Sequence, residues 1–328
     1  MNYSQISLVC IVFLCASIGT NCRELLKKDH KCRNCLKSLL IFGDSLSDQG
    51  LPYGLWSFDN KTTPSTSLGY KMGRFTNHQV WSQYLGEKYG MDVLSFAVGG
   101  ATVNNFSIGV PVTIDTELAE YQHFLASNPP LQEPSVAVVF IGSNDFNAIP
   151  KYTSLRSNVS DLEAFLTSLV EGIASTVQRV IQFGYKNVLV VNLPPLELTP
   201  QFAGPANTQN RVEFGSLITA VNMNIAKAIT AIKATAGPLG VTIIPLDIYS
   251  LTINVFNNAQ KYGFANISGP CLVTNPPFSN SNVNTTVVST CSHPEKFFFW
   301  DGEHPTETGH RILANDIAST FKSYGLLH

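Results

Sequence analysis

The sequence predicts an α/β fold of three layers, helices packed on both faces of a five-stranded parallel sheet. Short apolar runs bounded by Gly, Pro or Asn alternate along the chain with longer segments suited to helices. Such alternation implies parallel strands joined by crossover helices, a sheet covered on both sides. No internal repeat and no linker divides the body, so most of the 328 residues should form one unit.

The runs read as buried strands are Ser38–Phe42, Val93–Phe96, Val136–Ile141, Asn187–Asn192 and Val241–Pro245. Asp161–Gln182 and Thr208–Ala234 read as helices between them. A last helix shows Leu313, Ile317 and Phe321 at i+4 spacing, which puts them on one buried face. In open parallel sheets ligands bind beyond the carboxyl ends of the strands, at a topological switch point. Residues that directly follow strands are therefore the ones to inspect.

Composition narrows the partners. Hydrophobic residues make up 44% of the chain, enough for a large core, and charged residues only 13%, about half the usual share. The net charge is −2 without a long basic or acidic run, so no nucleic acid partner is expected. Carboxylates and histidines do not cluster at ligand spacing, so neither a metal nor a cofactor is expected.

Ile6–Ile18 is an apolar stretch followed by small residues, and it is shorter than the ~20 residues a spanning helix needs. It reads as a secretory signal over residues 1–20, followed by a leader or propeptide-like segment over 21–37 and the main domain over 38–328. No later apolar stretch reads as long enough to span. Acceptor sequons begin at Asn60, Asn105, Asn158, Asn266 and Asn284, which suits a secreted glycoprotein. Cys271 and Cys291 bracket a polar loop and form the natural disulfide pair in an oxidising compartment. Cys32 and Cys35 form a lone C-x-x-C, with no second pair for zinc and no redox-motif context, and are further disulfide candidates. Cys22 either leaves with the leader or pairs with one of these.

Four blocks carry chemistry. After the first strand, Gly43-Asp44-Ser45-Leu46 turns sharply and is expected to open a helix, placing Ser45 where backbone N–H groups favour developing negative charge. Taken alone, such a serine is an ordinary cap. After the second strand, Gly99-Gly100 lets backbone N–H groups approach a ligand without a Cβ in the way. After the third, Gly142-Ser143-Asn144-Asp145 offers the Asn144 side-chain NH₂. Near the C-terminus, Asp301 precedes His304 by three residues and can hold Nδ1–H, leaving Nε2 as a base. His78, His123, His293, His310 and His328 read as surface or structural residues.

In this order the blocks resemble the GDSL esterase and lipase family, or SGNH hydrolases, with Gly43-Asp44-Ser45-Leu46 as the naming motif. Gly73-Arg74-Phe75-Thr76-Asn77 with Val80-Trp81, Tyr262–Asn266 and Phe299–Gly302 extend the likeness over roughly residues 38 to 325. The resemblance implies a flavodoxin-like SGNH hydrolase fold and a Ser-His-Asp hydrolase acting on carboxylic esters through an acyl-enzyme. It implies Ser45 as nucleophile, His304 as base and Asp301 as its orienting partner. The Ser45 and Gly100 N–H groups and the Asn144 side chain would form the oxyanion hole. Ser95 departs from the family's Asn five residues before that glycine, which puts the local hydrogen bonding in question.

The α/β-hydrolase alternative needs G-x-S-x-G, which is absent around Ser45. A non-catalytic binding protein on the same fold is the alternative from another class. Within the family, acyltransfer and carbohydrate acetylester cleavage stand beside lipid ester hydrolysis. Phe75, residues 110–114 and Phe297–Trp300 could line an acyl pocket or belong to the core, and Leu51–Gly69 could form a loop over the site. A monomer with at most transient lipid-surface contact is expected.

Overall fold

The computed structural model describes residues 35–50, 64–105, 112–131, 133–149, 157–203, 208–276 and 285–328. In chain order these form β1 (Ser38–Gly43), α1 (Trp81–Tyr89), β2 (Asp92–Ser95), α2 (Ile114–Ser127), β3 (Ser135–Phe140), α3 (Ser143–Ala148), α4 (Val159–Gln182) and β4 (Asn187–Val191). There follow α5 (Thr208–Ala236), β5 (Thr242–Leu246), α6 (Ile248–Asn257), β6 (Asn266–Pro270), β7 (Leu272–Asn275), β8 (Thr286–Thr290), β9 (Phe297–Phe299) and α7 (Glu307–Ser323).

The central sheet runs β2-β1-β3-β4-β5 with every pairing parallel. Each of the five expected strands is present, shifted by at most one residue at either end. All six residues of β1 and of β3 are buried, because helices cover both faces. Alternate residues feed two cores. Leu40, Phe42, Val139 and Val190 meet Leu118 of α2, Leu169 of α4 and Ile225 of α5. Leu39, Ile41, Val138 and Leu189 meet Trp81 of α1 and Leu313, Ile317 and Phe321 of α7. The three α7 residues thus share the buried face that their spacing predicts.

Three sequence expectations need correction. Ser45 does not open a helix: Ser47 and Asp48 donate back to the Asp44 carbonyl, closing a single turn. Burial of Asp44 and Ser47 fixes that turn from within. The stretch Arg211–Leu239 is long and apolar enough to cross a membrane, contrary to the sequence reading. Its Ile218, Val221, Ile225, Ile229 and Ile232 stripe is nonetheless spent on the core. The folded body also begins before residue 38, since Leu36 is buried and its N–H donates to Leu326 O at 2.9 Å. The signal segment, Cys22, Cys32, Asn60, Asn284 and most of the 51–69 loop lie outside the described residues.

The register decides where the site falls. Gly43 at the end of β1 is level with Phe140 at the end of β3, and Ile41 with Ser95 of β2. The loops after these three strands therefore emerge side by side. From β1 the chain goes to β2 on one side and later to β3 on the other, which makes this edge the switch point.

Candidate active site

At that edge Ser45 and His304, 259 residues apart, come into hydrogen-bond contact: His304 Nε2 lies 2.8 Å from Ser45 Oγ. His304 Nδ1 lies 2.8 Å from Asp301 Oδ2 and 3.0 Å from Oδ1. All three residues are buried, with Ser45 retaining 7% exposure. The turn bearing Asp301 and His304 is closed by Trp300 N donating to His304 O at 2.7 Å. Asp301 Oδ1 accepts from the His304 and Glu303 N–H groups at 2.7 and 2.8 Å, and Oδ2 accepts from Tyr70 O–H at 2.6 Å.

These contacts set the charges. Burial works against an ionised Asp301, but the His304 ring and the donors from His304, Tyr70 and Glu303 hold its carboxyl below the ordinary range. Burial alone would depress the His304 imidazole, and the Asp301 carboxylate outweighs it and holds the ring above its ordinary value. Phe75 lies against the imidazole with ring centroids 5.0 Å apart.

The donors beside Ser45 are arranged by buried carboxylates. Asp44 Oδ1 takes the Leu46 N–H at 3.0 Å and Asp48 Oδ2 takes the Gly99 N–H at 2.8 Å. The Ser45 and Gly100 N–H groups carry no such contact among the described residues. Gly100 has φ +87°, a conformation that favours glycine. A Cβ on Gly99 would fall 2.0 Å from the Phe75 ring, so this position excludes larger residues on space alone. Asn144 spends one side-chain N–H on Ala101 O at 2.9 Å and keeps a second. Asp145 accepts from the Val103 and Asn104 N–H groups, both at 2.9 Å, tying the loop after β2 to α3. Ser95 donates to Ser47 O and accepts from Ala97 N, both at 3.3 Å, so its hydroxyl joins the loops after β1 and β2.

The chain matches the GDSL-like lipase/acylhydrolase family over residues 39–317. It belongs to that family. It is with it a carboxylic ester hydrolase. Among curated relatives, a GDSL esterase/lipase of Arabidopsis thaliana is 27% identical over 84% of each chain. The thermolabile hemolysin of Vibrio parahaemolyticus is 28% identical over 86% of this chain and 63% of its own length. A lipolytic G-D-S-L family protein from Veillonella parvula overlaps at TM-score 0.42 and 11% identity, over 87% of this chain and 98% of its own; that overlap adds nothing to the assignment.

Other expectations for the GDSL hydrolase meet the structure unevenly. Cys271 and Cys291 are joined, with Cα atoms 4.9 Å apart. Cys35 is also disulfide-bonded. Asn105 and Asn158 are exposed and Asn266 half-buried. His293 also meets a carboxylate, Glu295 at 3.1 Å, but both side chains face solvent. Val112 and Ile114 belong to the core, while Phe298 and Phe299 line a pocket beside Ser45.

Tyr70 and Glu117 escaped the sequence reading, and His310, read there as surface or structural, proves to be buried beside the site. Tyr70 is 231 residues from its partner, and nothing local marks it. Glu117 on α2 is wholly buried under β1, its Oε2 accepting from Gly43 N at 2.9 Å, and burial drives its carboxyl well above the ordinary range. His310 is buried and accepts from Trp81 N at 3.3 Å through Nδ1, while burial and the nearby His304 push its pKa down to about 3. A carboxylate in a helix pattern with apolar neighbours on its own face, as Glu117 has in Ile114, Leu118 and Tyr121, is the one signal that could have revealed a buried acid.

Proposed function

We propose that this GDSL hydrolase is a secreted serine esterase working through Ser45, His304 and Asp301. The observation that carries the reading is the continuous chain of hydrogen bonds from Ser45 Oγ through the His304 ring to Asp301. Ser45 Oγ attacks the ester carbonyl carbon while His304 Nε2 takes its proton. Collapse breaks the carbon–oxygen bond to the alcohol, which leaves with that proton. Water then attacks the acyl-enzyme with His304 again as base, and the acid leaves as Ser45 regains its proton. The Ser45 and Gly100 N–H groups and the second Asn144 N–H are the donors we assign to the oxyanion.

Secretion is supported by the two disulfide-bonded positions, Cys271–Cys291 and Cys35, which suit an oxidising compartment. On this reading residues 1–20 are a removed signal, the leader ends before Leu36, and glycans sit on the exposed sequons. The enzyme acts as a monomer that touches lipid surfaces transiently.

Assay of p-nitrophenyl esters with the secreted protein and Ser45→Ala tests the mechanism. Hydrolysis is expected to vanish in the variant, and hydrolysis that persists unchanged sinks the assignment. Asn144→Ala should lose about 10²–10³ in kcat. N-terminal sequencing and a mobility shift on glycosidase treatment test secretion and glycosylation.

A further inference from the structure

Along α2, Asp115 faces solvent and Glu120 is half-buried, but Glu117 between them is wholly buried. A carboxyl group is costly to take from water unless hydrogen bonds replace the solvent, so its partners are informative. Here Oε2 accepts from the backbone N–H of Gly43 at 2.9 Å, two residues before Ser45. In a parallel ladder, alternate residues of a strand bond to the same neighbour. On the β2 side, Ile41 O takes Phe96 N at 2.8 Å and Gly43 O takes Val98 N at 3.1 Å. The Gly43 N–H faces that side too, but β2 ends at Ser95, and Glu117 supplies an acceptor where the strand has stopped.

The helix that carries Glu117 is also bonded to the other half of the site. Thr102 N donates to Val112 O at 3.2 Å, and Ile114 N, at the start of α2, donates to Thr102 O at 2.9 Å. The start of α2 therefore holds the loop bearing Gly100, and Glu117 in its first turn holds the strand end that leads to Ser45. Ionisation of Glu117 is opposed by burial and by the Asp44 and Asp48 carboxyls, the charged groups it faces. Together these outweigh the Gly43 and Val98 N–H groups. The neutral acid thus holds Gly43 without placing negative charge beneath a developing oxyanion.

We propose that Glu117 is a positioning residue for ester hydrolysis: by holding Gly43 N from α2, it fixes the spacing of the Ser45 and Gly100 N–H groups that receive the oxyanion. The inference rests on the serine esterase reading above. It requires the acceptor at this position and not a charge.

The test compares Glu117→Leu, which removes the acceptor, Glu117→Asp, which withdraws it, and Glu117→Gln, which keeps a neutral acceptor of equal length. Active sites are counted with a p-nitrophenyl alkylphosphonate, and kcat for p-nitrophenyl butyrate is expressed per site. Glu117→Leu and Glu117→Asp should each lower kcat per site about tenfold or more, since small misplacements at a reacting centre carry such losses. Glu117→Gln should restore most of the rate and leave the pH midpoint of kcat/KM in place. A residue that only supports the fold would cost titratable sites and melting temperature while kcat per site stayed unchanged, and that result overturns the inference. So does a Gln variant as slow as the Asp one, or a midpoint displaced downward, the mark of a charge at residue 117 acting on His304. Should Glu117→Leu fail to fold, Asp against Gln makes the same comparison. Ser45→Ala, run alongside, keeps the readings apart: if it abolishes hydrolysis while the Glu117 variants match the unsubstituted enzyme per site, the mechanism stands and the positioning role fails. Hydrolysis that persists in Ser45→Ala sinks the mechanism, and this inference with it.

Discussion

Asp301 receives two backbone N–H groups, the Tyr70 hydroxyl and the His304 ring, so its charge and its orientation are fixed before any substrate arrives. A hydrogen bond to a buried charged group contributes about 1.5–3 kcal/mol. Tyr70→Phe should accordingly lower kcat/KM by about tenfold or more in steady-state assays, with the fold intact. The sign of the pH dependence follows from the His304 shift. In the mechanism proposed above the ring must be neutral to accept the serine proton, and Asp301 raises its pKa, so kcat/KM should rise with pH through a midpoint above the ordinary imidazole value. Asp301→Asn removes the raising charge but leaves the burial, which moves the midpoint down and costs about 10⁴ in kcat. A pH–rate profile of the two proteins decides this, and coincident midpoints would contradict it.

At the scale of elements, the segment between α6 and α7 acts as a brace for the Asp301–His304 turn. Cys271 N donates to Phe299 O at 3.0 Å and Leu272 N to Trp300 O at 2.6 Å, so the disulfide-bonded strand fixes the residues that precede Asp301. The bond closes a loop of 20 residues, for which chain entropy gives about 3 kcal/mol. Replacing both Cys271 and Cys291 by Ser should lower the Tm by roughly 4–5 °C in a melting experiment. On the other side of the turn, Asn77 Oδ1 accepts from Glu307 N at 2.8 Å, capping α7 from a distant loop. Asn77→Ala should destabilise the protein by about 0.5–2 kcal/mol in denaturant unfolding. The Gly73–Asn77 segment thus acts twice, since Phe75 from the same run packs on His304.

Over the whole molecule, buried carboxyl groups gather under the site. Burial pushes Asp44 up to about 7 and Asp48 and Asp145 up to about 6, with Glu117 well above its usual value. Folded-state values above the unfolded ones mean that the native protein binds more protons between about pH 4 and 7. His310, pushed down to about 3, works the other way across this window, and the carboxyls held below their ordinary values, Asp301 and Asp247 among them, oppose only at its acid edge, so the four raised groups prevail. Stability should therefore rise as pH falls from neutral toward about 5, while activity falls because His304 becomes charged. Melting temperatures across this range check the first half, and a Tm that drops steadily from pH 7 to 5 would refute it.

The sequence by itself determined the strands, because buried parallel strands must be continuous apolar runs, and it marked Ser45, Gly100, Asn144, Asp301 and His304, because each follows a strand or begins a turn. It did not show the turn after Ser45, whose form depends on burial of Asp44 and Ser47 beneath other elements. Nor did it show Tyr70 on Asp301 or Glu117 under Gly43, contacts 231 and 74 residues apart that leave no local pattern. The pocket is the clearest case. Ile248, Leu251, Val255, Phe298, Ile312 and Leu313 look like any other core residues, and only the way α6, β9 and α7 pack gathers them around one pocket beside Ser45. Periodicity says which side chains leave water; how closely their elements approach one another is decided by packing across the whole chain.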